Sequence, residues 1–190
     1  IPNQVIGKRK IARLVALARS ARIIVAVESS GNVDDLSSAS MAAGAELGVI
    51  IEINVGMDRC GVDGDGAVEL AKKIDAAPGL RFDGLMGYEG HVVAERDYET
   101  RKTEAEKAMT ILTGAADQIR GVGIDVKLVS AAGTGTYNIT GRVDGITELQ
   151  CGSYIFMDGD YLEVFNDFEP ALSVLATVIS RQKQDVAIVD

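Results

Sequence analysis

Apolar positions along this chain switch repeatedly between two periods. From Lys8 to Ala21, the residues Ile11, Leu14, Val15 and Ala18 recur at helical spacing and share one face. Arg22 to Val27 follows as a short β-branched run. Asn32 to Ala43 is again helical, with Gly44 at its end. Val49 to Val55 reads as a strand that runs into a glycine-rich loop. Ala67, Leu70, Ala71 and Ile74 predict a helix from Ala67 to Ala76, stopped by Pro78-Gly79. Leu80 to Tyr88 is the next strand. Thr100 to Val122 is a long helix with Met109, Leu112, Ala116 and Ile119 inward. Ile124 to Val129 and Ile146 to Cys151 complete the series.

Near-continuous apolar strands separated by helices predict a parallel sheet covered by helices, an α/β fold. Candidate strands end near Gln4, Val27, Val55, Tyr88, Val129 and Gln150. A doubly wound sheet fits that series. A (β/α)8 TIM barrel fits better, because polar residues gather at many strand ends: Gln4, Arg59, Glu89 and His91, Ser130, Gln150 and Ser153. In a barrel those ends converge on one mouth. The expectation is a partial barrel over residues 1–164 that lacks its first two strands. Ile1-Pro-Asn-Gln, without an initiator Met or a signal-peptide pattern, reads as the end of a strand cut mid-domain. Past Tyr161 the alternation stops. Ala171 to Ser180 and Val186 to Val189 are β-rich with no helix between them, so residues 165–190 are expected to begin a C-terminal β-domain.

Composition narrows the function classes. The 190 residues are 47% hydrophobic, enough for one sizeable core. The net charge of -9 leaves no basic footprint for nucleic acid. No apolar run is long enough to cross a bilayer, so no membrane partner is expected. Cys60 and Cys151 lie far apart and read as structural thiols of a reducing, cytoplasmic compartment. The chain has one histidine, His91, and no Cys/His cluster at ligand spacing, so no metal site is expected within it.

Two glycine-rich segments carry the chemistry. Ser130-Ala-Ala-Gly-Thr-Gly-Thr-Tyr137 and Gly152-Ser-Tyr-Ile-Phe-Met-Asp158 each follow a strand. Glycine lets the backbone approach an oxyanion, while hydroxyls and free N–H groups donate to it. Two such loops late in a β/α series suggest the phosphate cradle of a barrel. A third segment, Asn54-Val-Gly-Met-Asp-Arg-Cys-Gly-Val62, places Arg59 between glycines just past a strand. That guanidinium is either solvated or donates to a phenolate or carboxylate oxygen.

Gly56-Met-Asp-Arg-Cys-Gly61, Gly87-Tyr-Glu-Gly-His91, Ala132-Gly-Thr-Gly-Thr-Tyr137 and Glu148-Leu-Gln-Cys-Gly-Ser-Tyr-Ile-Phe-Met-Asp158 resemble, in this order, the D-threonine aldolase and D-serine dehydratase-like family. These are fold-type III pyridoxal-phosphate enzymes that include 3-hydroxy-D-aspartate aldolases and are related to alanine racemase. The resemblance runs from about Gln4 to Asp190. It implies that Thr134 with Gly133 and Gly135, and the Gly152–Ser153 pair, hold the cofactor phosphate, with Tyr161 beside them, and that Ser130 is cofactor-binding. It further implies a cofactor contact for Gln4, a bond from Arg59 to the phenolic oxygen, and Gln150 beside the pyridine nitrogen, where racemases carry arginine. His91 is a candidate acid/base group or stacks on the cofactor ring. The Schiff-base lysine of the family belongs to a strand absent here. Its divalent metal (Mn, Mg or Zn) is expected in the rest of the β-domain.

Each assignment has a plainer alternative. Tyr161 also suits a plug at the domain junction, Gln4 a strand-end cap, and His91 a structural histidine. Thr134 and Ser153 are ordinary turn residues. Glu52 and Glu89 read as wall or surface carboxylates, Met57 and Met157 as packing. The resemblance implies a lyase acting on a small D-3-hydroxy amino acid, as a homodimer. Aldol cleavage leads, β-elimination is the alternative, and a non-catalytic cofactor-carrier barrel is the third reading.

Overall fold

The structure is a computed structural model that describes all residues, Ile1–Asp190. Helix α1 (Lys8–Ala18) leads into β1 (Ile24–Val27), α2 (Ser30–Ala43), β2 (Leu47–Glu52), α3 (Gly64–Ala76) and β3 (Leu80–Gly87). Then follow α4 (Tyr98–Gly121), β4 (Leu128–Ala131), the single turn α5 (Tyr137–Thr140), β5 (Glu148–Leu149) and a short α6 (Gly159–Leu162). Side chains cap four of the helix starts, those of α2, α3 and α4 and, through Asp158, of α6. Ser29, Asp63 and Asp97 accept the backbone N–H of Asn32, Gly66 and Thr100, which satisfies an otherwise orphaned donor in each first turn. Gly44, at φ 60, closes α2 in the left-handed region.

The five strands form one sheet in the order β1-β2-β3-β4-β5, and every neighbouring pair is parallel. Gln4 adds a parallel bridge to Ala26, so the segment before α1 flanks β1. Sequence neighbours are therefore sheet neighbours throughout. A doubly wound sheet would reverse its strand order at a switch point, and this one does not.

The two faces of the sheet differ. The helix-covered face carries the main core, including Val25, Val27, Val49, Ile51 and Leu85 against Leu14, Leu36, Leu70, Met109 and Leu112. The opposite face holds only Ala26, Ile50 and Met86, with Ile24 and Leu128 packed beside them. Toward the strand C-termini it becomes polar. Register pairs Glu52 with Met86, Met86 with Ser130, and Ser130 with Glu148, so these side chains share that inner face. An inner layer running from apolar to polar along the strands is what a barrel with chemistry at one mouth needs.

Gly84, at φ 148, sits where β3 slips register against β2, between Val49 and Ile50. A side chain there would overlap the Leu128 carbonyl of β4. At the opposite end of the sheet from the polar face, Arg81 donates through Nε and Nη2 to the buried Asp83 at 2.8 and 2.7 Å. Arg22 lies 3.6 Å from Asp83, and Glu46 pairs with Arg81 from outside. Gly48 leaves the space this group fills.

After α6 the chain extends to an antiparallel hairpin, β6 (Val178–Lys183) and β7 (Val186–Val189), separate from the parallel sheet. The β-rich tail is thus a hairpin, and its first strand begins at Val178 rather than Ala171. Its apolar side chains, Val178, Ile179, Ile188 and Val189 among them, are exposed.

Candidate active site

The loop after β2 is wound tightly. Asn54 accepts the backbone N–H of Gly56 and Asp58 at 3.1 and 3.2 Å and donates to the Asp58 carboxylate at 2.8 Å. The chain then returns, pairing Val62 with Ile53. A Cβ at Gly61 would lie 2.5 Å from Asn54 N, so the return requires glycine. Gly61 N–H also donates to the Glu28 carboxylate. This winding projects Arg59 from the loop. Its guanidinium lies 5.6 Å from the ring centroid of Tyr88, the first residue past β3, a cation–π geometry.

The loop after β4 turns at Ala132, whose φ of 69 is unusual for a residue with a side chain. Glu89, fully buried, accepts Ala132 N–H at 3.1 Å and the hydroxyls of Thr136 and Thr140 at 2.7 and 2.6 Å. Gly133 N–H donates to Thr136 Oγ1 at 3.1 Å. A Cβ at Gly135 would overlap the Val93 carbonyl, so that glycine is required by backbone approach within the protein. Thr134 is left facing outward from the turn, 1% exposed. Its Oγ1 accepts Tyr154 N–H at 3.1 Å, which ties this loop to the one after β5. The Thr134 hydroxyl proton is therefore free to donate elsewhere.

These loops enclose a cleft of about 270 Å³ at the C-terminal ends of the strands. Arg59, Tyr88, Thr134, Gln150, Ser153 and Tyr161 line it, with the backbones of Gly133 and Gly152 and with Pro2, Asn3 and Met86. Arg59, both hydroxyls of the two glycine-rich loops, and Gln150 thus share one space. A Cβ at Gly152 would meet nothing within 4 Å, so that backbone is open to approach.

Other anticipated residues stand outside the cleft lining. Ser130 is one step behind it: its Oγ accepts Gln150 Nε2 at 2.9 Å and donates to Glu148 at 2.7 Å, fixing the Gln150 amide. Gln4 Nε2 donates to the buried Glu52 at 2.5 Å. His91 is exposed and packs its imidazole over Gly56, where a Cβ would be 3.1 Å from Nε2. Gly135 is buried against Val93 as described.

Two cleft features were not anticipated. Tyr88 stacks on Arg59 and walls Gly133, and burial is the main cause that pushes its phenol above the ordinary range. The nearby Tyr161 and Glu89 push the same way, while Arg59 opposes them. Tyr88 therefore enters the cleft as a neutral hydroxyl. Glu89 is the hub of the β4 loop, not a wall carboxylate. The aromatic between two glycines in Gly87-Tyr-Glu-Gly90 was the available signal for Tyr88. Behind the cleft, burial also raises the Cys151 thiol, which donates to Gly133 O at 3.4 Å.

Residues 5–160 match the model of the alanine racemase N-terminal domain, and the chain belongs to that family. Within it, the chain is 40% identical over 195 residues to a D-threonine aldolase of Arthrobacter sp.. It is 36% identical over 201 residues to a 3-hydroxy-D-aspartate aldolase of Paracoccus denitrificans. Each alignment covers 100% of this chain and 52% of the relative. The crystal structure of D-threonine aldolase from Filomicrobium marinum superposes with a TM-score of 0.92 at 40% identity, over 100% of this chain and 54% of that one. The chain therefore spans about half the length of these relatives.

Proposed function

We propose that this chain forms the pyridoxal-phosphate cleft of a lyase that cleaves D-3-hydroxy amino acids, in the manner of D-threonine aldolase. The observation that carries the reading is the cleft itself. It joins Arg59, the Thr134 and Ser153 hydroxyls and the open backbone of Gly152, within a chain 40% identical along its whole length to a D-threonine aldolase.

The residues fit the cofactor. A phosphate needs several converging donors. Thr134 offers a hydroxyl whose acceptor side is already engaged, Ser153 a second hydroxyl, and Gly152 an approachable backbone. Tyr161 closes the same region. Arg59, with a planar fork of donors, suits the phenolic oxygen. Gln150, held by Ser130, suits the pyridine nitrogen as a neutral group. No lysine lines the cleft. When bound, pyridoxal phosphate supplies a sink for the electron pair left at Cα. The chain's own residues bind it, orient its ring through Arg59 and Gln150, and keep a neutral phenol, Tyr88, against the guanidinium.

In D-threonine cleavage the Cα–Cβ bond breaks, the β-hydroxyl loses its proton, and Cα gains one, giving glycine and acetaldehyde. A divalent-metal requirement, a homodimer and a cytoplasmic location belong to the same reading. The side chains of this chain do not fit a metal: no group of three or more His, Cys, Asp or Glu is placed to hold one.

The test uses the protein at its full encoded length, supplied with pyridoxal phosphate, Mn²⁺ and, in turn, D-threonine, D-3-hydroxyaspartate and D-serine. Glycine with an aldehyde or glyoxylate is the expected result. Pyruvate and ammonia from D-serine would assign the elimination reaction. Tight cofactor binding without turnover would assign a carrier. In the same assay, Arg59→Lys is expected to remain well below the native protein, because a point charge does not reproduce the guanidinium's fixed donors.

A further inference from the structure

We infer that Glu89 is the positioning residue for phosphate affinity, acting from beneath the cleft without touching its contents. The inference rests on the cofactor reading above and deepens it. Glu89 follows Tyr88 but turns the other way, to full burial. It makes no ion pair. Its carboxylate is met by three donors, and all three belong to one stretch of chain, Ala132 to Thr140.

The arrangement directs that stretch. Oε2 takes the N–H of Ala132, the residue in the left-handed region, and so holds the turn that a residue with a side chain resists. Oε1 takes the Thr136 hydroxyl, which in turn accepts Gly133 N–H. A relay therefore runs from the Gly133 amide through Thr136 to the carboxylate. The Ala132 amide directly, and the Gly133 amide through Thr136, are both drawn toward Glu89. Thr134, the next residue, is left to face the cleft and to receive Tyr154 N–H from the second loop. One buried carboxylate thus sets the attitude of both phosphate loops. A buried group kept only for packing would not gather its donors from a single loop that carries a cleft-facing hydroxyl.

Glu89→Gln preserves volume but replaces one acceptor oxygen with a donor, so the three donors can no longer all be met. Hydrogen bonds to charged groups are worth enough that losing one lowers affinity about tenfold. The experiment strips the full-length protein of cofactor and titrates it with pyridoxal phosphate and, separately, with pyridoxal, which lacks the phosphate. Glu89→Gln is expected to weaken pyridoxal phosphate binding about tenfold while pyridoxal binding changes by less than about twofold. Thr136→Val, which breaks the relay and leaves Glu89 in place, is expected to lower the same ratio. In the cofactor-free protein, the Ala132 amide is expected to exchange its hydrogen faster in both variants.

A purely structural Glu89 would weaken both titrants in parallel, and that result would overturn the inference while leaving the function standing. Retention of the native ratio in both variants would do the same. Should Glu89→Gln fail to fold, Thr136→Val decides: a lowered ratio supports the assignment and an unchanged one overturns it. A native protein with no preference for pyridoxal phosphate over pyridoxal would overturn the cofactor reading and this inference together.

Discussion

Arg59 and Tyr88 reach the cleft from different strand ends, and each sets the other's environment. Arg59 was legible only through its company: an arginine bracketed by glycines past a strand end is plainly solvated on its own, but this one shares a mouth with two glycine-rich loops. Tyr88 was not, since an aromatic at a strand end ordinarily belongs to the core. Glu89 was misread for a related reason. Its burial depends on donors some 43 to 51 positions away along the chain, which no local pattern announces. Tyr88 also gives a pH prediction. Its folded-state pKa is raised, chiefly by burial, so the folded protein holds that proton more tightly than the unfolded chain. Stability should then be fully present below about pH 10 and fall as pH rises through the raised value. Urea midpoints measured from neutral to strongly alkaline pH should drop less steeply in Tyr88→Phe than in the native protein. Equal slopes would remove Tyr88 as a cause.

At the scale of elements, apolar periodicity located every long helix but started three of them late. The apolar pattern predicts starts at Asn32, Ala67 and Thr100, whereas α2, α3 and α4 begin at Ser30, Gly64 and Tyr98. The caps Ser29, Asp63 and Asp97 lie before the first inward apolar residue, because the opening turn presents its free N–H groups rather than its core face. The last strand erred the other way. Of Ile146 to Cys151 only Glu148–Leu149 pair as a strand, and the side chain of Thr147, just before them, bonds to Val129. The short turn α5 carries too few residues to show a period. Gly84 supplies the prediction at this scale. Its φ of 148 and the Leu128 carbonyl leave no room for a methyl group. Gly84→Ala should cost about 3 kcal/mol of stability through combined overpacking and backbone strain. A denaturant midpoint within error of the native value would show that β3 and β4 can separate to accommodate it.

For the whole molecule, the order of the parallel sheet was legible from alternation alone, since short connections leave few other topologies. So was the meeting of the two glycine-rich loops, because strand C-termini on one sheet share one edge. What remained hidden was how the loops are joined. The bond from Tyr154 to Thr134 makes them one unit, and the β6–β7 hairpin is built apart from that unit. A ligand spanning both loops should therefore stabilise the protein globally. At a free concentration of 100 times its Kd, pyridoxal phosphate should add about 2.7 kcal/mol. Thermal melts of the full-length protein should rise with pyridoxal phosphate and much less with an equal concentration of pyridoxal. An equal rise with both would place the binding energy on the ring rather than on the two loops.

The Arg81–Asp83 pair sits at the far end of the strands from the cleft, sealed by Arg22, Glu46 and the gap left by Gly48. Its location gives the molecule two separable ends. An engineer seeking a more stable protein has a place to work at this base, adding ion pairs or repacking around Gly48. The loops that line the cleft would not be touched.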